Sequence, residues 1–228
     1  MSDGAAGGVG EFGDPGGSSA ELLPMFPLGS VLFPSMLLPL RVFEPRYRAM
    51  VGHCLEHQVD FGVVLIERGS EVGGGDVCSD IGCRASIVHA EPRPDGEWYL
   101  VAIGTRRLRV HRWLDDDPYP RAEILHWPEE PAPDLTETDE DLLLDVARSE
   151  LREVLELAAA VGAWRGPVDV GATPDPAVGS HQLASMTPLG AFDRQRLLAA
   201  PGTAARLTML RGLLADQAAL LRARLEGE

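Results

Sequence analysis

Five prolines set among apolar residues constrain the first folded part of this chain more than any other feature. They are Pro24, Pro27, Pro34, Pro39 and Pro45. Because proline fixes φ and has no backbone N–H, this stretch cannot form one long helix or a central strand. It predicts two short extended segments, Leu23–Leu28 and Met36–Phe43, and then a helix whose first turn contains Pro45.

The predicted helix runs from Pro45 to His57 and has one apolar side. Its apolar residues fall at i, i+3, i+4, i+7 and i+8, which places them on one face that is expected to join the core. They are Tyr47, Met50, Val51, Cys54 and Leu55. Glu44 precedes the helix, where an acidic side chain suits the unpaired N–H groups of the first turn.

Residues 27–48 follow the order P-L-x-x-V-L-F-P-x-x-x-L-P-L-R-V-F-E-P-R-Y-R. This order resembles the N-terminal substrate-binding domain of Lon proteases, and the C-terminal segments resemble the helical part of the same domain. The resemblance covers residues 22–225. It implies an α+β fold in which a PUA-like Lon N-terminal β pseudo-barrel is followed by a C-terminal α-helical bundle. We expect a disordered tail over residues 1–21, the pseudo-barrel over 22–130 and a helical subdomain over 131–228.

Short segments rich in β-branched residues predict the remaining strands of the pseudo-barrel. They are Phe61–Ile66, Gly82–Ala90, Glu97–Trp113 and Tyr119–Trp127. Gly104 stands in the middle of the third segment and predicts a bulge or bend there. The glycine-rich stretch Glu67–Asp76 is interpreted as a hairpin loop, because no helix follows it to complete a phosphate-binding loop.

Four segments beyond a linker rich in proline and acidic residues have helical patterns. They are Thr138–Ala160, Ser180–Met186, Ala191–Ala199 and Thr203–Leu225. Thr138 with Asp141 is interpreted as a capping box at the start of the first. The apolar face of that helix is predicted to comprise Leu143, Val146, Ala147, Leu151, Val154, Leu155 and Ala158. Residues 162–179 are predicted to form a loop.

The chain contains no lysine, since all 20 of its Lys and Arg residues are arginines. Full-length Lon proteases, which the sequence resembles, add an ATPase and a Ser–Lys peptidase. The ATPase needs a lysine on the nucleotide phosphates, and the peptidase needs a lysine as the base for its serine. Arginine stays protonated at working pH and replaces neither lysine. The sequence therefore predicts a stand-alone, non-enzymatic member with no catalytic residues and no cofactor.

The formal net charge of −15 disfavours binding to nucleic-acid phosphates, which depends on clustered cations. A local exception to the acidic balance is the set Arg106, Arg107, Arg109 and Arg112. Strand alternation puts these side chains on both faces of one strand, so they form no single basic patch. We interpret them as a solvated strand surface.

Three cysteines, Cys54, Cys78 and Cys83, accompany an N-terminus without the basic start or apolar core of a signal peptide. Reduced thiols and a cytoplasmic location are therefore expected. Neither Cys78 nor Cys83 has the further donors that a structural zinc site needs, so no metal site is predicted. A Cys78–Cys83 disulfide under oxidative stress is a second hypothesis. No apolar run reaches the about 18 residues of a membrane span.

The candidate binding surface is the apolar segment that precedes and begins the second extended segment. Its proposed polypeptide-binding residues are Phe33, Pro34, Met36, Leu37 and Leu38. One short loop and strand cannot bury so many apolar side chains on a single face, and exposed apolar surface often marks a partner site. The motif residues that follow are interpreted as structural, and they are Arg41, Phe43, Glu44, Pro45, Arg46 and Tyr47.

The resemblance implies a non-catalytic protein that binds unfolded or partly folded polypeptides or one specific protein partner. A finer hypothesis is an adaptor or modulator of ATP-dependent proteolysis that acts with a Lon-type protease. The alternative is a small-ligand or RNA-binding PUA-like module, because barrels related to this one include RNA binders. The acidic net charge speaks against RNA, and no membrane partner is expected.

Overall fold

A computed structural model describes residues 20–69 and 77–227 of the chain. The strands in these ranges are β1 (Glu21–Leu28), β2 (Leu37–Val42), β3 (Phe61–Arg68), β4 (Val77–Pro92), β5 (Trp98–Leu114) and β6 (Arg121–His126). The helices are α1 (Pro45–His57), α2 (Glu137–Ala160), α3 (Pro176–Met186), α4 (Ala191–Leu198) and α5 (Thr203–Glu226). Residues 1–19 of the predicted tail and 70–76 of the predicted hairpin loop lie outside the described residues, and Glu21 already belongs to β1.

The six strands form one sheet in the order β2-β5-β4-β3-β1-β6, and β6 pairs back onto β5. This second pairing closes five strands into a ring and leaves β2 as an attached edge strand. The length of β5 makes both pairings possible, because residues 98–103 pair with β2 and residues 108–114 pair with β6. The predicted pseudo-barrel is therefore confirmed.

A proline-rich stretch is not expected to form a central strand, yet β1 contains two prolines and lies inside this sheet. In each half of β1, the residues pair with one neighbouring strand. Glu21–Pro24 pair antiparallel with β6, and Met25–Leu28 pair parallel with β3. Neither Pro24 nor Pro27 is therefore required to complete hydrogen bonds on both sides. The expectation was wrong because it treated the whole strand as paired on both sides.

The bulge predicted at Gly104 is present, because β4 and β5 shift register at Thr105. The turn before β2 docks at this point. The Ser35 N–H donates to the Gly104 carbonyl at 2.8 Å, and the Gly104 N–H donates to the Met36 carbonyl at 2.9 Å. A Cβ on Gly104 would clash with the Phe33 carbonyl oxygen, so only glycine allows this close backbone approach.

Helix α1 has the predicted bounds and closes one side of the barrel core. Tyr47, Met50, Val51 and Cys54 are buried, whereas Leu55 is exposed, so the predicted stripe was one residue too wide. The Tyr47 ring stacks on Phe26 of β1 with ring centroids 4.2 Å apart. This contact fixes the helix against the barrel.

The α2 helix begins one residue earlier than predicted. Thr136 is its N-cap, and the capping box joins Thr136 to Asp139 rather than Thr138 to Asp141. A box two residues upstream satisfies the first free N–H groups and starts the helix at Glu137. The buried stripe of α2 also includes Leu144, whereas the predicted Leu143 and Val146 are half-buried.

The α3 helix begins at Pro176, inside the segment predicted to be a loop. The Asp175 side chain accepts a hydrogen bond from the Val178 N–H, and Pro176 occupies the first turn. Both features favour a helix start, so the predicted loop was too long. Helices α4 and α5 lie within one residue of their predicted bounds.

The helical part and the barrel share a core. Val31, Phe33 and Leu65 from the barrel side pack in the same apolar cluster as the buried residues of α2, α3, α4 and α5. The strands lie within residues 21–126 and these four helices within 137–226, and the domain boundary at residue 130 stays a prediction. In the described residues, none of the helices has the length and apolar character of a bilayer span.

Candidate functional site

One outward side of the sheet carries apolar side chains in contact with solvent. We call it the open face, and it comprises Leu37, Pro39, Val88, Tyr99, Val101 and Ile103. The register of β2 and β5 places Leu37 opposite Ile103, and Pro39 opposite Val101. Leu37 is 57% exposed, Val88 55% and Tyr99 44%. Directly opposed side chains lie within contact distance, so Leu37 with Ile103 and Pro39 with Val101 form one apolar patch. Tyr99 lies on the same face of β5, and Val88 is exposed on β4 at the border of the patch.

Strand alternation produces the open face. Leu38, Leu100 and Ala102 are the inward neighbours of its residues, and all three are buried in the barrel core. On β4 the register shifts between Ile87 and His89, which adds Val88 to the exposed side. His89, also exposed, stands opposite Val101, so the bulge places Val88 next to a polar side chain at this border of the open face.

Charged side chains border the open face at one end. The Arg41 guanidinium donates to both carboxylate oxygens of Glu97, at 2.7 and 3.0 Å. The Arg93 guanidinium lies over the Tyr99 ring, 5.3 Å from its centroid. An apolar centre with a polar rim is the usual composition of a protein-binding surface.

The outer edge of β2 is poorly suited to the addition of another strand. The Gly104 N–H donates to the Met36 carbonyl, so alternation directs the backbone groups of residues 38, 40 and 42 toward β5 and those of 37, 39 and 41 outward. Pro39 stands at an outward position and has no N–H to offer. A proline at such a position protects an edge strand from pairing, so a partner would meet the open face through its side chains.

Of the five predicted binding residues, Leu37 alone lies on the open face. Phe33 is 0% exposed and Leu38 is buried, so both are corrections to the predicted site. Phe33 packs in the core shared with the helices, and Leu38 points into the barrel. Met36 is half-buried with its Sδ 3.8 Å from Arg194 Nη2. Pro34, also half-buried, lines a cavity between the barrel and α3.

The motif residues have local structural contacts. The Arg46 Nε donates to the Glu44 carboxylate at 3.1 Å, and the Arg46 guanidinium lies 4.5 Å from the Tyr47 ring centroid. Glu44 is the N-cap residue of α1 and makes no side-chain capping bond. Pro45 occupies the first turn, as predicted, whereas Phe43 is exposed and holds no core position.

A buried ionic cluster joins the barrel to the helices. We call it the junction cluster, and it comprises Arg107, Glu129, His181 and Arg206. Arg206 Nη2 donates to both Glu129 carboxylate oxygens, at 2.8 and 2.9 Å. His181 Nε2 lies 3.0 Å and Arg107 Nε 3.1 Å from the same carboxylate. Arg107 also donates to the carbonyls of Pro128, Leu198, Ala200 and Pro201.

Burial and charge set the protonation of the junction cluster. Burial lowers the pKa of His181 to about 4, and its hydrogen bond to Glu129 offsets only part of that effect. Burial alone would raise the pKa of Glu129, but the hydrogen bond from His181 and the Arg206 and Arg107 guanidiniums together lower it. Near neutral pH, Glu129 is therefore ionised and His181 is neutral, with its Nε2–H donating to the carboxylate.

Sequence reasoning missed the junction cluster and misplaced one of its members. Arg107, interpreted as part of a solvated strand surface, is buried with 2% of its surface exposed. Arginine heads have enough donors to satisfy several carbonyls, which explains how the helical half accommodates it. The sequence did contain one signal for Arg206. This residue lies four positions before Leu210, so on a helix it shares the buried stripe of α5.

Cys54 and Cys83 are buried free thiols. Burial raises the pKa of both Cys54 and Cys83 to about 12. Disulfide exchange proceeds through the thiolate, so Cys83 is poorly suited to the Cys78–Cys83 pairing considered from the sequence. No group of three or more potential metal ligands occurs in the described ranges.

Acid is expected to weaken the fold through His181. Its pKa is about 4 in the fold and 6.5 for the ordinary group, so the unfolded chain binds the proton first as the pH falls. The contribution of neutral His181 to the free energy of unfolding is complete above about pH 6.5. It decreases by about 3 kcal/mol as the pH falls to about 4. Urea unfolding at several pH values across this range measures the change in the free energy of unfolding. His181→Gln keeps a donor for Glu129 and removes the titration, so its stability should change less with pH; identical pH profiles would contradict this role.

Comparison with known proteins identifies the family. Residues 22–216 match the family model of the ATP-dependent protease La (LON) substrate-binding domain. The chain therefore belongs to this family. The Lon protease of Methylocella silvestris is 26% identical over 223 residues, which cover 94% of this chain and 26% of that protein. A LON peptidase N-terminal domain and RING finger protein of Schizosaccharomyces pombe is 28% identical over 114 residues, which cover 45% of this chain and 23% of that protein.

Solved structures share the fold. The crystal structure of a Lon N-terminal domain protein from Xanthomonas campestris is 31% identical with a TM-score of 0.59, covering 83% of this chain and 96% of that one. The N-terminal domain of the Mycobacterium avium complex Lon protease has a TM-score of 0.61 at 17% identity, covering 86% of this chain and 99% of that one. The chain spans about a quarter of the length of the two curated relatives described above. The predicted family and α+β fold are confirmed.

Proposed function

We propose that this chain binds unfolded polypeptide segments, without catalysing a reaction on them, through the open face. The observation that carries the proposal is the exposed apolar surface that includes Leu37, Val88 and Tyr99, in a domain of the Lon substrate-binding family. Unfolded chains present apolar side chains that folded proteins bury, so an apolar surface selects them. Pro34 and Met36, half-buried just before Leu37, are included in the proposed contact surface.

The geometry favours weak, sequence-tolerant binding. Because the open face is a sheet surface with Pro39 on its edge, a bound segment contributes side-chain contacts and no complete backbone ladder. Half-buried Val101 and Ile103 add apolar area between the more exposed residues. Several small apolar contacts of this kind give reversible binding to many segments, which suits a domain that holds polypeptides before another step.

A finer proposal is that this binding serves ATP-dependent proteolysis, as an adaptor or a modulator. It is supported by relatives that bear the name Lon protease and contain a matching segment. Adding the chain to a Lon-type protease and an unfolded substrate should change the rate of degradation. A chain with Leu37→Asp should have a smaller effect, and equal rates with and without the wild-type chain would oppose the finer role.

Replacement of Leu37 by aspartate should weaken polypeptide binding about tenfold, because a charge replaces a contact whose burial contributes about 1–2 kcal/mol. Fluorescence anisotropy of a labelled, reduced and carboxymethylated α-lactalbumin measures the affinity, since that reporter cannot refold. Leu37 is already exposed, so the variant is expected to fold.

The matched control for this experiment is Leu142→Asp, which makes the same change on α2 at a residue that is 64% exposed. It should bind the reporter as the wild type does. Equal affinities for all three proteins would place polypeptide binding elsewhere on the chain.

A further inference from the structure

Two adjoining cavities lie beside the junction cluster. The larger, of about 320 Å³, lies between the sheet and the start of α3, and the smaller, of about 240 Å³, lies at the start of β1. Both are lined by Arg106, Arg107 and His126, so they form one continuous groove, which we call the junction groove. The volume of its larger part falls within the range of about 300–1,000 Å³ that is usual for small-molecule sites.

The charges along the junction groove leave one cation without a close partner. Three arginines and two glutamates line it, and they are Arg84, Arg106, Arg107, Glu21 and Glu129. Glu129 is held by the junction cluster, and the two Glu21 carboxylate oxygens accept from Arg84, at 2.7 and 3.0 Å. Arg106 Nη2 lies 4.0 Å from Glu21, its one ion pair among the described residues, and half of its side chain is exposed. Its guanidinium is therefore accessible to an anion from solution.

The region around Arg106 is positive, although the whole chain has a formal net charge of −15. Burial lowers the pKa of His126, and the Arg106 and Arg107 guanidiniums lower it further. Two cations that disfavour a third positive charge at this place favour a negative one. A cleft lined by one sign of charge concentrates its field locally, so the acidic balance of the rest of the chain does not cancel this preference.

The larger cavity also has an unpaired donor and an apolar wall. The backbone N–H of Trp127 donates to the Arg107 carbonyl at 3.3 Å, which places Trp127 next to Arg106. The Trp127 indole Nε1–H is buried and has no hydrogen-bond partner within the described ranges. This group can only donate, and leaving it unpaired costs free energy that an oxygen acceptor would recover. The apolar wall comprises Pro128, Ala177 and Val178.

We infer that the junction groove binds a small organic anion. Its carboxylate or phosphate group contacts Arg106 and the Trp127 indole N–H, and its apolar body packs against Pro128 and Val178. Both anionic groups offer two oxygens to the parallel N–H groups of a guanidinium. Because Arg106 belongs to β5 and Val178 to α3, the bound anion bridges the barrel and the helices. The site lies apart from the open face and does not depend on polypeptide binding.

Probes that share a phenyl body and differ in their polar group test this inference. They are 3-phenylpropionate, its neutral isostere 3-phenylpropionamide, and phenyl phosphate, each titrated into the full chain and followed by two-dimensional NMR. We expect at least one anion to bind about fivefold or more tightly than the amide, with the largest shift changes at Arg106, the Trp127 indole N–H and Val178. Tighter binding of phenyl phosphate would identify the group as a phosphate, and tighter binding of 3-phenylpropionate as a carboxylate.

Two arginine variants on β5 locate the contact. Arg106→Gln removes a half-exposed cation with one long ion pair, so it is expected to fold and to bind the anions no more tightly than the amide. Arg112→Gln removes an exposed arginine that pairs with Glu123 at 2.6 Å and lines neither cavity, and it should keep the wild-type preference.

The inference is overturned if the amide and both anions bind the wild type equally, if none of them binds, or if Arg106→Gln keeps the preference for an anion. Each of these results would leave the proposed function intact, because the unfolded α-lactalbumin reporter is bound at the open face. Loss of reporter binding in Leu37→Asp together with unchanged anion binding would show that the two sites are separate.

Discussion

Replacement of Glu129 by alanine should destabilise the fold by about 3–5 kcal/mol, the largest effect expected for a single charged residue here. Glu129 is the carboxylate shared by Arg107, Arg206 and His181, and both guanidiniums are almost completely buried. Its removal leaves two desolvated cations near one another. Chemical denaturation at neutral pH measures the change in the free energy of unfolding.

The neighbouring residue provides the control. Glu130 is exposed and forms no side-chain ion pair among the described residues, so Glu130→Ala should change the stability by less than about 0.5 kcal/mol. A loss below about 1 kcal/mol for Glu129→Ala would show that the junction cluster does not hold the barrel to the helices.

Replacement of Phe33 by alanine should cost about 3–5 kcal/mol through the cavity that it leaves. Phe33 is fully buried in the core that the barrel shares with the helices, and Arg194 lies over its ring. Phe33→Asp should prevent folding, because it buries an unpaired carboxylate. Loss of binding in that variant would therefore say nothing about a contact surface.

Phe192→Ala is the matched control for Phe33, because its ring is 66% exposed on α4. Its free energy of unfolding, measured in the same denaturation experiment, should lie within about 0.5–1 kcal/mol of the wild-type value. Similar losses for both variants would contradict the assignment of Phe33 to a shared core.

Local patterns predicted most of the elements. The prolines placed β1, β2 and the start of α1, because their effect on φ and on backbone donors acts within a few residues. Gly104 located the bulge for the same reason. The starts of α2 and α3 were predicted wrongly. Their N-cap residues are Thr136 and Asp175, and other residues of the capping type lie close by and predict a helix start equally well.

Contacts between distant parts of the chain were not predictable in this way. Arg107 and Arg206 are 99 positions apart in the numbering, and nothing local indicates that Glu129 joins them. The binding segment shows the same limit. The sequence showed a surplus of apolar residues around Leu37, but only the docking of the helices decides that Phe33 is core and Leu37 is surface.

Site-specific crosslinking tests the central claim, that the open face holds unfolded polypeptide, most directly. A benzophenone side chain replaces Leu37 in one protein and Leu142 in another, and each is irradiated with the unfolded α-lactalbumin reporter or with native α-lactalbumin. Both positions are exposed to solvent. We predict adducts with the unfolded reporter at position 37, few at position 142, and few with the native protein at either. Equal yields at the two positions, or equal yields with folded and unfolded reporter, would contradict the claim.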